Sequence, residues 1–292
     1  MPSLGQLVQY VVSGVTIGSV YAIVALGFTI IFNVTGIINF AQGEFVMLGG
    51  MFSWWLGARF HLPALPAFAL AILLTAGVGA LLEWLAIRPA RNAPVLSLII
   101  LTVGASIVIR SLASLAWGKD PVPLAAFSGE EPIAFLGAAI APQSFWVLGI
   151  TLGLMLAFHL LLSSTMLGKA LKACSINRRA AGLVGVDPRR MSTLSFALSA
   201  GLGAVGGIIV APVTMASYDA GVMLGLKGFT AAAVGGLGSQ PGAVLGGLAL
   251  GVLESLGAAV RSEFKDAIAL CLLFVVLFLR RGRIAAGESG GH

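Results

Sequence analysis

Charged side chains are scarce in this chain. Only 10% of its 292 residues are Asp, Glu, Lys or Arg, whereas an ordinary soluble domain has about 25%. None of the first 43 residues is charged, and Glu44 is the first side chain to interrupt this run. Hydrophobic residues make up 58% of the chain and the mean hydropathy is +1.02. These values exclude an ordinary soluble domain and predict an integral membrane protein.

Cysteine and histidine are also rare. Cys174 lies in a basic loop and Cys271 in an apolar segment, so we predict two unpaired thiols. His61, His159 and His292 stand apart from one another and from both cysteines, which excludes the usual metal-ligand spacing. We therefore predict no catalytic residue and no metal site.

The sequence has no phosphate-binding motif of the form G-x-x-x-x-G-K-[ST]. The segment 235–242 contains no lysine, and Lys169 in the pair Gly168-Lys169 is followed by Ala170. The chain is thus predicted not to be an enzyme and to bind no cofactor. If a nucleotide powers its activity, ATP and Mg²⁺ bind to another polypeptide.

Apolar segments of about 20 residues, the length needed to cross a bilayer, recur along the chain. We predict nine crossings, with eight or ten as alternatives, in one all-α polytopic transmembrane domain covering residues 1–292. Segment 222–237 is the least apolar, but without it the charged ends of the later spans fall on the wrong sides. The predicted spans are residues 7–32, 37–58, 64–87, 95–117, 145–163, 191–210, 222–237, 243–260 and 267–279.

The charges are arranged asymmetrically between these spans. Residues 169–190 contain six basic residues and one acidic residue, and basic residues also occupy 88–91 and the tail 280–292. The loop 118–142 is acidic, with a net charge of −2. Basic loops of membrane proteins are cytoplasmic, which predicts an external N-terminus, a cytoplasmic C-terminus and a cytoplasmic loop at 164–191. The net charge of +6 therefore does not indicate a nucleic-acid partner.

Glycine is abundant, with 39 residues, and several glycines are spaced by four. This spacing lets two helix backbones approach closely in a membrane. The pairs are Gly14 with Gly18, Gly242 with Gly246, and Gly247 with Gly251.

The first candidate site is the segment 36–50, which contains Asn39, Gly43 and Glu44. Its side chains belong either to a non-helical, re-entrant stretch that faces a translocation route or a buried network, or to an ordinary helix start. In the second case Asn39 caps the helix and Glu44 occupies its first turns. Both interpretations remain open.

The second candidate is the cluster of helix-breaking residues at 235–242, with Gly235, Gly236 and Gly238. Broken helices occur at membrane depth only where protein or water shields the backbone. We therefore predict that this cluster lines a pathway.

Five further charged residues lie in or near the predicted spans. We interpret Glu83 as an interfacial charge, and Asp219 and Lys227 as charges of the external rim. Arg110 either extends outward to water or pairs with a buried carboxylate. Glu254 is the second candidate for a buried carboxylate.

The loop 164–191 is too long for a simple turn. Its composition predicts short helices at 167–174 and 178–184, and Asp187-Pro188 is typical of the start of the next span. The loop either rests on anionic lipid or docks a cytosolic subunit.

Five motifs in this order resemble the permease subunits of branched-chain amino acid ABC importers, the H-type half. They are residues 18–27, 39–44, 168–174, 180–185 and 227–242. The chain departs from the family at Gln42, where histidine is more common. Closely related permeases carry urea, short amides or aromatic acids, so these substrates remain alternatives.

The resemblance implies a bacterial inner-membrane subunit that pairs with a second, homologous permease, two cytosolic ATPases and a periplasmic substrate-binding protein. It also implies that the segment 180–185 couples transport to an ATPase. The residues assigned to coupling are Lys172, Asn177, Ala180, Ala181, Gly182 and Gly185. A stand-alone secondary transporter or channel, and a membrane scaffold without a pathway, are the competing hypotheses.

Overall fold

The structure is a computed structural model that describes residues 4–129, 131–135 and 137–260, together with residues 267, 268, 271, 272, 274, 275 and 278. Over these residues the chain is almost entirely helical. The helices are α1 (Leu4–Thr35), α2 (Gln42–Phe60), α3 (Ala64–Leu82), α4 (Val95–Trp117), α5 (Pro142–Ser164), α6 (Met166–Ile176), α7 (Arg178–Leu183), α8 (Pro188–Thr214), α9 (Ala220–Gly235) and α10 (Gln240–Val260). The turn Glu83–Ile87 extends α3 as a π-helix.

A short antiparallel hairpin lies between α4 and α5. Its strands are β1 (Ile133–Phe135) and β2 (Ala138–Ile140), and Ile133 pairs with Ile140. Nearby, Val122 and Ala216 form an isolated bridge through two backbone hydrogen bonds of 2.8 and 2.9 Å. The loop predicted to be external therefore packs against the connection between α8 and α9.

Six helices are long and apolar enough to cross a membrane: α1, α3 with its π turn, α4, α5, α8 and α10. The apolar helix α9, with 16 residues, and the 19-residue α2 are shorter. These eight helices correspond to the first eight predicted spans, and the ninth, 267–279, lies mostly outside the described residues. The all-α polytopic fold is thus confirmed, while the extent of a single domain stays a prediction.

Burial separates central from peripheral helices. In the most apolar window of each helix, 83% of α1 and 72% of α8 is buried, but only 11% of α4 and 17% of α5. The fully buried side chains include Phe28, Phe45 and Phe196. Peripheral helices instead expose large apolar side chains such as Leu115 and Leu152, as expected where lipid or a partner covers them.

The helices α1 and α10 touch through their glycines. A Cβ added at Gly14 would lie 2.7 Å from the Val252 Cα, and one at Gly18 would lie 2.8 Å from the Gly247 carbonyl oxygen. A Cβ at Gly251 would overlap Gly14 and Gly18. The close approach predicted from the four-residue spacing is confirmed.

We predict that Gly251→Ala destabilises the fold. The added methyl group has no space between α1 and α10, and overpacking typically costs about 1–3 kcal/mol. The measurement is the apparent melting temperature of the purified chain in detergent. Gly104→Ala is the matched control, because nothing lies within 4 Å of its added Cβ and alanine favours a helix. An equal melting temperature for both variants would contradict the tight contact.

Candidate functional site

The connection between α1 and α2 folds back into the bundle. Ser199 on α8 donates through its hydroxyl group to the Gly27 carbonyl oxygen (2.8 Å) or to the Gln42 Oε1 (2.6 Å). The first residue of α2 therefore lies beside Gly27, eight residues before the end of α1, a distance of about 12 Å along that helix. The chain segment 36–41 re-enters the bundle in a non-helical conformation.

The buried backbone of this segment is hydrogen-bonded by side chains. The Phe40 N–H group donates to Thr102 Oγ1 on α4 (3.1 Å), and the Ala41 N–H group donates to Asn39 Oδ1 (3.1 Å). Asn39 is fully buried, but the residue at the N-cap of α2 is Ala41. Each interpretation is thus met in part: the segment 36–41 is non-helical, and Glu44 occupies the first turn of the helix that follows, with Ala41 rather than Asn39 at the N-cap.

Glu44 lies in the first turn of α2 and is 1% exposed. Its Oε1 accepts a hydrogen bond from Ser106 on α4 (2.8 Å), and its Oε2 has no hydrogen-bond partner among the described residues. Arg110 and Asp219 are the charges that act on it electrostatically. The buried Glu44 carboxylate therefore joins α2 to α4 through Ser106.

Gly43 packs against α9. An added Cβ would overlap the Gly221 carbonyl oxygen and lie 2.8 Å from the Gly225 Cα. The contact brings the two helix backbones together beside Glu44. A role for Asn39, Gly43 and Glu44 in a translocation route stays a prediction.

A buried cluster joins α1, α9 and α10. Lys227 lies 3.2 Å from both carboxylate oxygens of Glu254, and the Tyr21 hydroxyl group donates to Glu254 Oε2 (2.8 Å). Lys227 is 6% exposed and Glu254 is 1% exposed. The expectation that Lys227 is an external rim charge is wrong, because the ion pair holds it inside. The sequence did contain a signal for the contact between Tyr21 and Glu254. Tyr21 follows Gly18 by three residues and Glu254 follows Gly251 by three residues, so both side chains lie beside the glycine contact of α1 and α10.

Glu83 is also buried, at 2% exposure. It begins the π turn of α3 and accepts a hydrogen bond from Thr193 Oγ1 on α8 (2.6 Å). The expectation of an interfacial charge is therefore wrong. The carboxylate links the ends of α3 and α8 instead.

The glycine-rich turn between α9 and α10 is a tight bend. Gly235 and Gly242 touch through their backbones, and Gly236 and Gly238 both have φ of 96°, which glycine adopts without steric cost. Asn33 at the end of α1 donates to the Gly238 carbonyl oxygen (2.9 Å).

A cavity of about 440 Å³ lies beside this turn. Gly238 and Lys172 both line this cavity, and both are among the predicted site residues. The role of Gly235, Gly236 and Gly238 in lining a pathway stays a prediction.

The loop between α5 and α8 contains both predicted short helices, which are α6 and α7. Asn177 caps α7 by accepting from the N–H groups of Arg179 and Ala180, both at 3.0 Å. Asp187 caps α8 by accepting from the Arg189 N–H group (2.9 Å), and Pro188 is the first helical residue. This hydrogen bond lowers the pKa of Asp187 below its usual value. The prediction of two helices and of this cap is confirmed.

The helix α7 has one buried and one exposed side. Ala181 is buried and packs in a cluster with Leu171, Cys174 and Val34, where burial raises the pKa of the Cys174 thiol. Leu183 and Val184 are 89% and 77% exposed. Two apolar side chains therefore project from a polar loop.

Some of the predicted coupling residues face the bundle or form a turn, and the others are exposed. Ala181 faces the bundle, and Gly185 forms the turn after α7 with φ of 88°. Lys172, Asn177, Ala180 and Gly182 are exposed. An added Cβ at Gly182 meets no atom within 4 Å.

The sequence of this polytopic helical bundle matches the model of a known family. The family model described as "Branched-chain amino acid transport system / permease component" matches residues 10–277. The chain belongs to this family. It is a membrane permease, and the resemblance drawn from its motifs is confirmed.

Curated relatives align with the permease over nearly its full length. It is 33% identical to the high-affinity branched-chain amino acid transport system permease protein LivH of Escherichia coli K12, covering 93% of this chain and 92% of that protein. It is also 33% identical to the corresponding protein BraD of Pseudomonas aeruginosa, covering 96% of each. Among solved structures, PsaBC from Streptococcus pneumoniae in complex with Fab covers 94% of the permease and 90% of that chain at 14% identity, with a TM-score of 0.45, too low to support an argument.

We predict that Lys227→Met strongly destabilises the permease. The substitution leaves the Glu254 carboxylate buried without its cation, which typically costs about 3–5 kcal/mol. The measurement is the apparent melting temperature in detergent, together with the yield of folded protein.

Two further variants give this prediction its controls. The double variant Lys227→Met with Glu254→Gln should regain part of the lost melting temperature, because it also removes the charge of the buried Glu254 carboxylate. Arg190→Gln breaks an exposed ion pair of 3.4 Å and should change the melting temperature little. A Lys227→Met protein as stable as Arg190→Gln would contradict a structural role for the buried pair.

Proposed function

We propose that this permease is the membrane subunit of an ABC importer that moves branched-chain or related amino acids, driven by ATP hydrolysis on separate ATPase subunits. The observation that carries the proposal is α7 with its exposed Leu183 and Val184. Apolar side chains that project from an aqueous loop mark a protein interaction site. A groove on an ATPase subunit would cover them.

The attachment of α7 to the bundle suits a coupling element. Ala181 and Leu171 pack with Val34 at the end of α1, and Met191, Leu194 and Leu198 of α8 border the same cluster. A displacement of α7 by an ATPase would therefore reach α1 and α8, which are the most buried of the six long apolar helices. In this proposal Lys172, Asn177, Ala180, Ala181, Gly182 and Gly185 form the coupling region.

The other parts of the importer follow from the family. We propose a second, homologous permease as partner in a heterodimer, two cytosolic ATPases that bind ATP and Mg²⁺, and a periplasmic substrate-binding protein. The permease binds no cofactor and no nucleic acid in this proposal. It lies in the bacterial inner membrane with its N-terminus outside and its C-terminus in the cytoplasm, as the basic loops favour.

The translocation route, we propose, passes the two places where the helices are interrupted. One is the re-entrant segment with Asn39, Gly43 and Glu44, and the other is the turn with Gly235, Gly236 and Gly238. Non-helical backbone at membrane depth is typical of transporter binding sites. Support comes from Asn39 Nδ2 and Glu44 Oε2, which are both buried without a hydrogen-bond partner among the described residues.

The substrate is proposed from the relatives, whose names specify branched-chain amino acids. Urea, short amides and aromatic acids remain the alternatives. Uptake of labelled leucine by cells that depend on this importer, with each alternative compound as competitor, distinguishes them. Inhibition by valine and isoleucine but not by urea is the expected result.

We predict that Gly182→Glu uncouples the importer. The side chain fits the isolated permease but places a charge in the proposed ATPase contact, so substrate-stimulated ATP hydrolysis should fall to the basal rate. Membrane insertion should not change. The assay is ATP hydrolysis by the reconstituted importer with saturating substrate-binding protein.

The matched control is Ser164→Glu, which adds the same charge at the start of the same loop and should retain coupling. Ser164 is exposed at the end of α5 and does not line the cavity beside the α9–α10 turn. Normal coupling in both variants would argue against α7 as the coupling helix.

A stand-alone transporter is tested with the purified permease in liposomes. Our proposal expects no leucine flux without ATPase subunits, with or without an ion gradient. Flux under these conditions would overturn it.

A further inference from the structure

An arginine-rich cavity lies at the basic end of the bundle, beside α7. It has a volume of about 760 Å³ and is formed by the end of α1, the α3–α4 connection and the starts of α7 and α8. This volume falls within the range of about 300–1,000 Å³ that is usual for small-molecule sites. Five arginines line it: Arg88, Arg91, Arg178, Arg179 and Arg189.

Neither of the two carboxylates of the cavity wall forms an ion pair with these arginines, although Arg189 interacts electrostatically with Asp187. Glu83 accepts its hydrogen bond from Thr193, and Asp187 forms its ion pair with Arg190, which does not line the cavity. The ion pairs of the described residues are Arg190 with Asp187 and Lys227 with Glu254. The cavity therefore concentrates positive charge that no ion pair of the described structure offsets.

Exposed apolar side chains lie next in sequence to residues that line the cavity. Trp84, one turn before Arg88, is 55% exposed, and Leu85 is 59% exposed. Val95 and Leu96 at the start of α4 are 58% and 68% exposed. A ligand with a charged head and an apolar tail would match both surfaces at once.

We propose that this cavity binds the headgroup of an anionic phospholipid, whose acyl chains lie along Trp84, Leu85, Val95 and Leu96. Guanidinium groups bind phosphate oxygens in bidentate geometry, and basic pockets between transmembrane helices bind anionic headgroups. An acidic segment of a protein partner would satisfy the arginines but would leave the apolar wall without a function. The proposal requires only that the chain spans a membrane, and it does not depend on the importer model.

The test uses quenching of tryptophan fluorescence by brominated lipids in vesicles that contain the full chain. Brominated phosphatidylglycerol should quench at a lower mole fraction than brominated phosphatidylcholine, because it is enriched at the cavity beside Trp84. Trp84→Phe should remove this selective component. Equal quenching by both lipids in the unmodified protein would overturn the proposal.

The double variant Arg88→Gln with Arg91→Gln should reduce the preference for phosphatidylglycerol about thirtyfold, if each arginine contributes as basic residues near anionic membranes usually do. The matched control is Lys169→Gln with Lys172→Gln, which removes two charges from the neighbouring basic loop 164–191 at residues that do not line the cavity. This control should retain the preference. An equal loss in both would indicate diffuse surface charge and would overturn the site.

Two other results would also overturn the proposal. Loss of the preference in millimolar inorganic phosphate would indicate a site for free anions. An unchanged preference in the cavity variant, with loss of ATPase copurification, would assign the arginines to an acidic protein partner. If the double variant does not reach the membrane, Arg91→Gln alone is compared with Lys169→Gln, because both residues are exposed and Lys169 does not line the cavity.

Discussion

The contact between α1 and α10 is the constraint on which the rest of the bundle depends. Gly18 and Gly251 bring the two backbones together, and Tyr21 and Glu254 each follow three residues later on the same helices. Their side chains meet at 2.8 Å because the backbones are so close. Lys227 then completes the cluster from α9. Without these glycines the Tyr21 hydroxyl group would lie too far from Glu254 to donate its hydrogen bond.

The same requirement for internal partners explains the other polar contacts. A bilayer offers no water to satisfy a buried polar group, and several buried polar side chains bond to a different helix. Gln42 joins α2 to α8 through Ser199, Thr102 joins α4 to the re-entrant segment, and Glu83 joins α3 to α8. These bonds tie the peripheral α3 and α4 to the centre.

Much of the fold could be predicted from the sequence, because it depends on local properties. Apolar length and composition identify the spans, and local capping chemistry identifies α6, α7 and the start of α8 at Asp187. The glycine spacing identified one close contact. The roles of Lys227 and Glu83 were missed, because each depends on a residue more than 20 positions away in sequence. No local pattern distinguishes a buried charge with a distant partner from a charge at the membrane surface.

Part of the candidate site could likewise be predicted from the sequence, and part could not. The helix α7 could be located because a loop of basic and small residues between two apolar spans is recognisable by composition alone. The surroundings of Glu44 could not be predicted, because Ser106, Gly221 and Arg110 come from α4 and α9. The arginine cavity was also missed, since its wall comes from four separate segments of the chain.

The pairing of Tyr21 with Glu254 has a consequence for the biosynthesis of the protein. The two residues are 233 positions apart, and ribosomes add about 5–20 residues per second. The first helix therefore leaves the ribosome roughly ten to fifty seconds before its glycine surface can be covered. During that interval α1 must stay beside the insertion machinery or a temporary helix partner. The first transmembrane segment to be made is among the last to reach its final contacts.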